Sequence, residues 1–310
     1  MAITSDRPLT YKSMNWRTLV PVDAGTRLVA LIGNPVEHSL SPIIHNTAFR
    51  AQQLNFAYVA TRVDDAKIAD ALAGLRALSF VGANVTAPHK QAVIPKLDRL
   101  SVQARTIGAV NTIVRRDVDG RVELEGDNTD VPGFLAPLHD HAGQLRGASM
   151  TILGSGGAAR AVAYALLTTF KPHRLTLAVR TPKHGERLAA DLASFDETSA
   201  LDVLPIRECR DVVRGSRLLV NTTPVGTHPQ RQHTPWDEPD VIGEYHIVYD
   251  LVYNPHNTRL LQEAAGRGAL TIGGLTMLIA QAAAAYIQWT GAEMPTRIVR
   301  EALRARLTRI

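Results

Sequence analysis

The sequence predicts an α/β fold in two units, the second built on a doubly wound parallel sheet. Three observations carry this expectation. Apolar strand-like runs alternate with amphipathic or Ala/Leu-rich segments along most of the chain. The apolar run Ser149–Leu153 passes straight into Gly154-Ser155-Gly156-Gly157 and then a helix-forming stretch. At 310 residues, the chain suits two domains of ordinary size better than a single core.

Taken in order, residues 1–26 read as an N-terminal extension. Residues 27–32 are the first strand, broken by Gly33-Asn34-Pro35, and a helix starts near Pro42, where proline is tolerated in the first turn. Residues 56–59 are a short strand, 68–78 an amphipathic helix, and 80–85 a strand stopped by Thr86-Ala87-Pro88. Residues 109–115 and 121–125 form a strand pair around Asp119-Gly120, a good turn former. After Asp130, strands at 149–153, 175–179, 203–205, 218–221 and 247–251 interleave with helices at 158–167 and 184–192, the order of a doubly wound sheet. Residues 275–288 and 295–305 are helical. The N-terminal sheet still needs cover, so this tail is expected to return to it. The expected domains are therefore 27–129 with 275–310, and 130–274.

The apolar fraction of 45% and charged fraction of 20% are those of a globular chain. The single cysteine, Cys209, excludes an intrachain disulfide and fits a reducing compartment. With no secretory signal read at the N-terminus and no apolar run long enough to span a bilayer, a cytoplasmic location is expected, without membrane partners. The net charge of +5 is spread along the chain without a nucleic-acid-binding signature, which argues against that class. No zinc-binding spacing, G-x-S-x-G elbow or P-loop is present, so metal, hydrolase and P-loop readings are poor.

The stretch from Gly154 to Ala159 has the spacing G-x-G-x-x-A between a strand and a helix. The first glycine permits a sharp turn, the second lets backbone approach a pyrophosphate, and Ala159 allows close helix–sheet packing. Free N–H groups at the helix start, from Ser155 through Gly157 and Ala158, can hold phosphate oxygens. The alternative is a purely structural turn. The next strand ends Val179-Arg180-Thr181-Pro182-Lys183-His184, with no acid before Glu186. An acid there would suit the ribose of NAD, whereas a basic residue, here Arg180, suits the phosphate of NADP. A solvated charge cluster is the competing explanation.

Four polar segments stand at turns near strand ends in the first half. They are His38-Ser39-Leu40-Ser41-Pro42, Asn84-Val85-Thr86-Ala87-Pro88-His89-Lys90, Gly108-Ala109-Val110-Asn111-Thr112 and Gly126-Asp127-Asn128-Thr129-Asp130. Each alone could be a capped helix or an Asx turn. Together they supply neutral hydrogen-bonding groups, one ammonium and one carboxylate, a kit for a small polyhydroxylated acid. Hydride transfer at an alcohol carbon needs a group that exchanges the hydroxyl proton, and Lys90 with Asp130 is the best available pair. Which of the two is the formal acid or base is left open.

These segments, with Gly33-Asn34-Pro35, residues 154–160, Asn221-Thr222-Thr223-Pro224-Val225-Gly226, Asp250-Leu251-Val252-Tyr253 and the run from Gly274 to Ala282, resemble the shikimate dehydrogenase family in order and spacing. The resemblance extends over nearly all the chain beyond the N-terminal extension. It implies a substrate domain completed by the C-terminal helices and a Rossmann-like NADP-binding domain. The implied activity is reversible NADPH-dependent reduction of 3-dehydroshikimate to shikimate, in chorismate and aromatic amino acid biosynthesis. On the family pattern Ser39 and Ser41 hold the substrate carboxylate, Asn84, Thr86, Asn111, Asp130 and Gln281 bind ring hydroxyls, and Tyr253 lines the pocket. Lys90 is the catalytic lysine, and Thr222, Pro224 and Gly274 fall at the cofactor. A monomer or homodimer is expected.

Two departures from the family pattern stand out. Val179 replaces an asparagine usual before Arg180, so the phosphate clamp is expected to be less complete, and His184 takes the later basic position. Val131 stands where glycine is usual and is expected to alter the turn entering the cofactor domain. The closest rival is a quinate or quinate/shikimate dehydrogenase using NAD or NADP, against which Ser41 and Arg180 argue. A noncatalytic nucleotide-sensing regulator is the rival from another class, disfavoured because Lys90 and Asp130 are both retained.

Overall fold

The computed structural model describes residues 22–197 and 200–307, so most of the extension expected over residues 1–26 lies outside the described residues. The chain runs β1 (Arg27–Gly33), α1 (Ser41–Ala51), β2 (Phe56–Arg62), α2 (Ile68–Ala77), β3 (Gly82–Val85), β4 (Arg99–Leu100), α3 (Val102–Ile107), β5 (Thr112–Val118) and β6 (Arg121–Asp127). It continues through α4 (Asp130–Leu135), α5 (Ala142–Leu145), β7 (Ser149–Leu153), α6 (Gly157–Phe170), β8 (Arg174–Val179), α7 (Pro182–Leu192), β9 (Leu201–Pro205), α8 (Arg210–Gly215) and β10 (Leu218–Asn221). The remaining elements are β11 (Ile247–Asp250), α9 (Arg259–Ala265), β12 (Leu270–Gly273), α10 (Gly274–Thr290) and α11 (Thr296–Leu307). Among the described residues, one compact unit takes in residues up to Arg99, Thr112–Glu125 and those from Ala285 onward. The other holds Leu100–Asn111 and Gly126–Ala284.

The first sheet has the order β2-β1-β3-β5-β6-β4. Its centre is β1, buried from Val29 to Ile32, which pairs in parallel with β2 on one side and β3 on the other. A strand flanked on both sides and covered on its faces reads as an uninterrupted apolar run, and RLVALIG is one. β5 pairs antiparallel with β3. It turns into β6 through Asp119 and Gly120, both at positive φ, as a two-residue hairpin turn requires. Helix α1 buries Ile44, Ala48 and Phe49 and packs against β2 and α11, while Val299, Ala302 and Leu303 of α11 are buried. Trp289, near the end of α10, donates from Nε1 to the Ile113 carbonyl at 3.0 Å, fixing that end of the helix to β5.

The second sheet is parallel throughout, in the order β12-β11-β10-β7-β8-β9. Counted from β7, this is the dinucleotide-binding order 3-2-1-4-5-6, with its reversal point between β7 and β10. Small buried residues on α6, namely Ala159, Ala161, Ala163 and Ala165, let that helix lie close to the sheet. Val131 is buried in α4 within the apolar core of this unit.

The differences from the sequence expectation gather at edges. The strand expected at 56–59 extends to Arg62; at the sheet edge β2 exposes the consecutive residues Val59 and Ala60, which breaks the period-two pattern. β12 went unread for the same reason, with Leu270 and Thr271 exposed at the opposite sheet's edge. The strand expected from residue 109 begins only at Thr112; Ala109 and Val110 are buried in irregular chain between α3 and β5.

Candidate active site

In the first unit the chain leaves β1 toward β2 on one side, while β3 flanks it on the other. The carboxyl ends of β1 and β3 therefore form the reversal point where open α/β sheets bind ligands. Two of the polar segments meet there. Thr86 donates its backbone N–H to the Ile32 carbonyl at 2.9 Å, and Asn34 donates to the Ala87 carbonyl at 3.1 Å. Gly33 is required at this junction, since a Cβ on it would stand 2.3 Å from Thr86 Cγ2 and 3.2 Å from the Ala87 carbonyl.

Ser41 is buried in the first turn of α1, and its backbone N–H donates to Ser39 Oγ at 3.2 Å, drawing the two serines into one loop. Asn84 is buried at the end of β3 and half-buried Thr86 follows it. Lys90 is half-buried in the next turn, where the Thr86 carbonyl accepts from the His89 N–H at 3.0 Å. His89 itself is buried and anchors this turn: Nε2 donates to the Val63 carbonyl at 2.6 Å while Nδ1 faces Asp65 at 3.4 Å. Ser39, Ser41, Asn84, Thr86 and Lys90 thus come from two adjoining strand ends.

Asn111 and Asp130 belong to the second unit, where they lie in a buried knot. The Asn111 amide donates to Asp130 Oδ1 at 2.9 Å and to Thr129 Oγ1 at 3.0 Å, and its Oδ1 accepts from the Thr129 N–H at 2.7 Å. Asn128 bridges the same two segments, donating to the Ala109 carbonyl at 2.9 Å and accepting from the Asp130 N–H at 3.1 Å. Asp130 is the first residue of α4, after Thr129 at the N-cap, so its carboxylate does not serve as the helix cap. Gln281 is buried on α10 and donates from Nε2 to the Leu278 carbonyl at 2.8 Å. Tyr253 follows β11, and burial pushes its phenol above its ordinary pKa.

The glycine turn follows β7 at the reversal point of the second sheet. Gly154 has φ +108°, and a Cβ there would meet Thr222 Oγ1 and Thr223 Cγ2, each at 2.9 Å. No L side chain fits, which lets the turn after β10 close against the turn after β7. Thr222 commits its hydroxyl hydrogen to the Leu153 carbonyl at 2.7 Å and so supports the turn from below. Ser155, Gly157 and Ala158 are half-buried and Gly156 is exposed, with open space where its Cβ would stand. The start of the 14-residue α6 is thus accessible to phosphate oxygens. Arg180, Thr181, Lys183 and His184 are all exposed beyond β8, whereas Val179 points into the core. Pro224 is exposed, and Gly274 is buried at the start of α10.

Two groups have supporting roles that the sequence reading did not assign. Asp250 is buried at the end of β11, where it accepts from Thr258 Oγ1 at 2.6 Å, Asn221 Nδ2 at 2.8 Å and the Val252 N–H at 3.0 Å. Desolvation nonetheless raises its pKa. It ties the loop carrying Thr222 and Pro224 to the one carrying Tyr253, and its signal was an acid closing an otherwise apolar strand. The other is Tyr58 on β2, whose hydroxyl donates to Asn84 Oδ1 at 2.7 Å. His45 of α1 stacks on that ring at 4.4 Å, and burial drives its imidazole down to about 3.

The sheet order, the strained glycine turn and the exposed α6 start together define a Rossmann-like dinucleotide-binding unit joined to a second α/β unit that carries a polar, lysine-bearing strand-end site. Family models agree in both halves. The shikimate dehydrogenase substrate binding domain matches residues 31–113, and the shikimate 5'-dehydrogenase C-terminal domain matches residues 274–304. A shikimate dehydrogenase (NADP(+)) of Salinibacter ruber is 58% identical over 288 residues, covering 92% of this chain and all of the relative. A crystal structure of shikimate dehydrogenase in complex with NADP+ superposes with a TM-score of 0.83 at 38% identity, covering 92% of this chain and 97% of the other. Shikimate 5-dehydrogenase from Listeria monocytogenes, in complex with shikimate and NAD, gives 0.82 at 33% identity, with 91% and 98% covered. The chain belongs to the shikimate dehydrogenase family.

Proposed function

We propose that the chain catalyses the reversible NADPH-dependent reduction of 3-dehydroshikimate to shikimate, as an oxidoreductase of chorismate and aromatic amino acid biosynthesis. The observation that carries this reading is the junction of Gly33 with Thr86. It brings Ser39 and Ser41 beside Asn84, Thr86 and Lys90 at one sheet reversal point. Serine hydroxyls suit a carboxylate, amide and threonine groups suit ring hydroxyls, and the ammonium suits an oxygen on which charge develops.

The residues present fit NADP. Gly154, Ser155, Gly156, Gly157 and Ala158 would hold the pyrophosphate, with Thr222, Pro224 and Gly274 bordering the turn, and Arg180, Thr181, Lys183 and His184 would face the ribose phosphate. Bound there, the dinucleotide supplies or accepts the hydride. Lys90 holds a proton at Nζ for the substrate oxygen, and Asp130, aimed by Asn111, orients that exchange or takes part in it. Asn111, Gln281 and Tyr253 complete the substrate contacts.

The substrate-binding part is assigned to residues 27–129 with 275–310, and the cofactor-binding part to residues 130–274. This functional division differs from the compact units, which take residues 100–111, 126–129 and 275–284 with the second. No helix among the described residues is long and apolar enough to cross a membrane. We place the enzyme in the cytoplasm as a monomer or homodimer, acting on small anionic polyhydroxy acids and not on nucleic acid.

Initial rates with shikimate and quinate, each with NADP and NAD, test the reading. The shikimate–NADP pair is expected to be fastest. A quinate preference above about tenfold, roughly 1.4 kcal/mol at the transition state, would overturn the substrate assignment.

A further inference from the structure

We propose that Tyr58 is a positioning residue for substrate binding, tying the carboxylate-binding serine Ser41 to the hydroxyl-binding amide of Asn84 so that both are set together. The inference rests on the substrate reading above and deepens it. A phenol carries one hydrogen, and Tyr58 gives it to Asn84 Oδ1 at 2.7 Å. The Asn84 amide is thereby oriented, with its Nδ2 toward Thr112 Oγ1 at 3.2 Å. The Ser41 side chain lies near the phenol oxygen, where it offsets part of the upward pKa shift that burial gives the tyrosine. Ser41, Tyr58 and Asn84 are all buried, at 7%, 2% and 5% exposure, so water does not replace these bonds.

The tyrosine is itself held from both ends. Its backbone N–H donates to Asn46 Oδ1 at 2.8 Å, and its carbonyl accepts from Asn46 Nδ2 at 2.9 Å. Asn46 stands on α1, the helix that opens with Ser41, so one helix fixes the tyrosine's backbone and meets its hydroxyl. The ring lies flat against His45, with 12° between planes, and Trp289 stands 6.2 Å away. Neither imidazole nitrogen of His45 has a hydrogen-bond partner, so that side chain serves here as a stacking plate. Nothing in this arrangement brings Tyr58 to the reacting atoms. Its effect on the reaction passes through Ser41 and Asn84.

Steady-state constants for Y58F, S41A and the double variant test this. Loss of one charge-ordering hydrogen bond predicts that Y58F raises KM for shikimate about tenfold, changes kcat by less than about threefold and leaves KM for NADP unchanged. In the S41A background the same substitution is expected to raise KM by less than about threefold, since the coupled partner is gone. An unchanged shikimate KM in Y58F, strict additivity in the double variant, or a parallel loss of kcat and both KM values would each overturn the proposal. If S41A alone leaves the shikimate KM unchanged, the serine assignment itself falls and the proposal with it. Thr112→Val, which loosens Asn84 from its other side, carries the test should Y58F fail to fold. It is expected to raise the shikimate KM by about threefold, and no change would be contrary.

Discussion

The Asn111 amide reaches Asp130 Oδ1 across 2.9 Å, inside a buried knot to which Thr129 and Asn128 also bond. The carboxylate is therefore aimed before any ligand arrives. Asp130→Asn keeps the shape and loses the charge, and is expected to lower kcat by about 100-fold or more while NADP binding holds. Fluorescence titration of NADPH alongside the rate measurement checks both halves. Unaltered turnover would remove Asp130 from the chemistry.

Lys90 lies in a turn anchored by the buried His89 ring, so its backbone is set independently of its own side chain. Lys90→Ala is expected to lower kcat by about 100- to 10,000-fold, the range of general acid–base catalysis, and to leave the melting temperature nearly unchanged. A thermal melt and a progress curve decide this, and full activity in the variant would end the role assigned to the lysine.

Cofactor choice is expected to depend on Arg180, which stands exposed beyond β8 while the neighbouring Val179 is turned into the core. With one polar side chain fewer at this edge, the guanidinium carries more of the phosphate recognition. Arg180→Ala is expected to raise KM for NADP about 10- to 100-fold, the worth of a charge-assisted hydrogen bond, and to alter KM for NAD little. Equal effects on the two cofactors would show that this arginine does not read the phosphate.

His45 makes stability depend on pH. Its imidazole titrates near 6.5 when exposed and at about 3 in the fold, so between those values the unfolded chain binds the extra proton. The stability gained from keeping the ring neutral is complete above 6.5 and is lost as pH falls toward 3. At one pKa unit per 1.36 kcal/mol, the loss by pH 5 is on the order of 2 kcal/mol. His45→Phe is expected to flatten that part of the profile, as urea melts at pH 7 and pH 5 would show. Identical slopes in variant and parent would refute it.

The sequence was most legible where one local pattern served one purpose. β7 and β10 occur at the residues expected, because buried central strands are unbroken apolar runs between turn formers. The turn at Gly154 was equally plain, since no other residue adopts its backbone and admits Thr222 so closely. Edge strands were the blind spot: β12 and the outer half of β2 expose successive residues and so lose the alternating signal. At the site, the residues named from the resemblance stood in compact motifs. Tyr58 did not, because it acts on a group far away in sequence, and Asp250 stood in such a motif without its supporting role being evident. Tyr58 looks like any inward tyrosine of a strand until the fold sets it 26 positions back along the chain from its partner Asn84.

The covering of α1 by α11 also has a bearing on synthesis. The ribosome makes the whole of the second unit before it reaches residue 285, yet Val299, Ala302 and Leu303 belong to the first. The earliest strands and α1 must therefore wait, with an apolar flank unshielded, while more than half of the chain is translated and folds downstream. Nascent chains stalled in that interval are the ones a chaperone would meet.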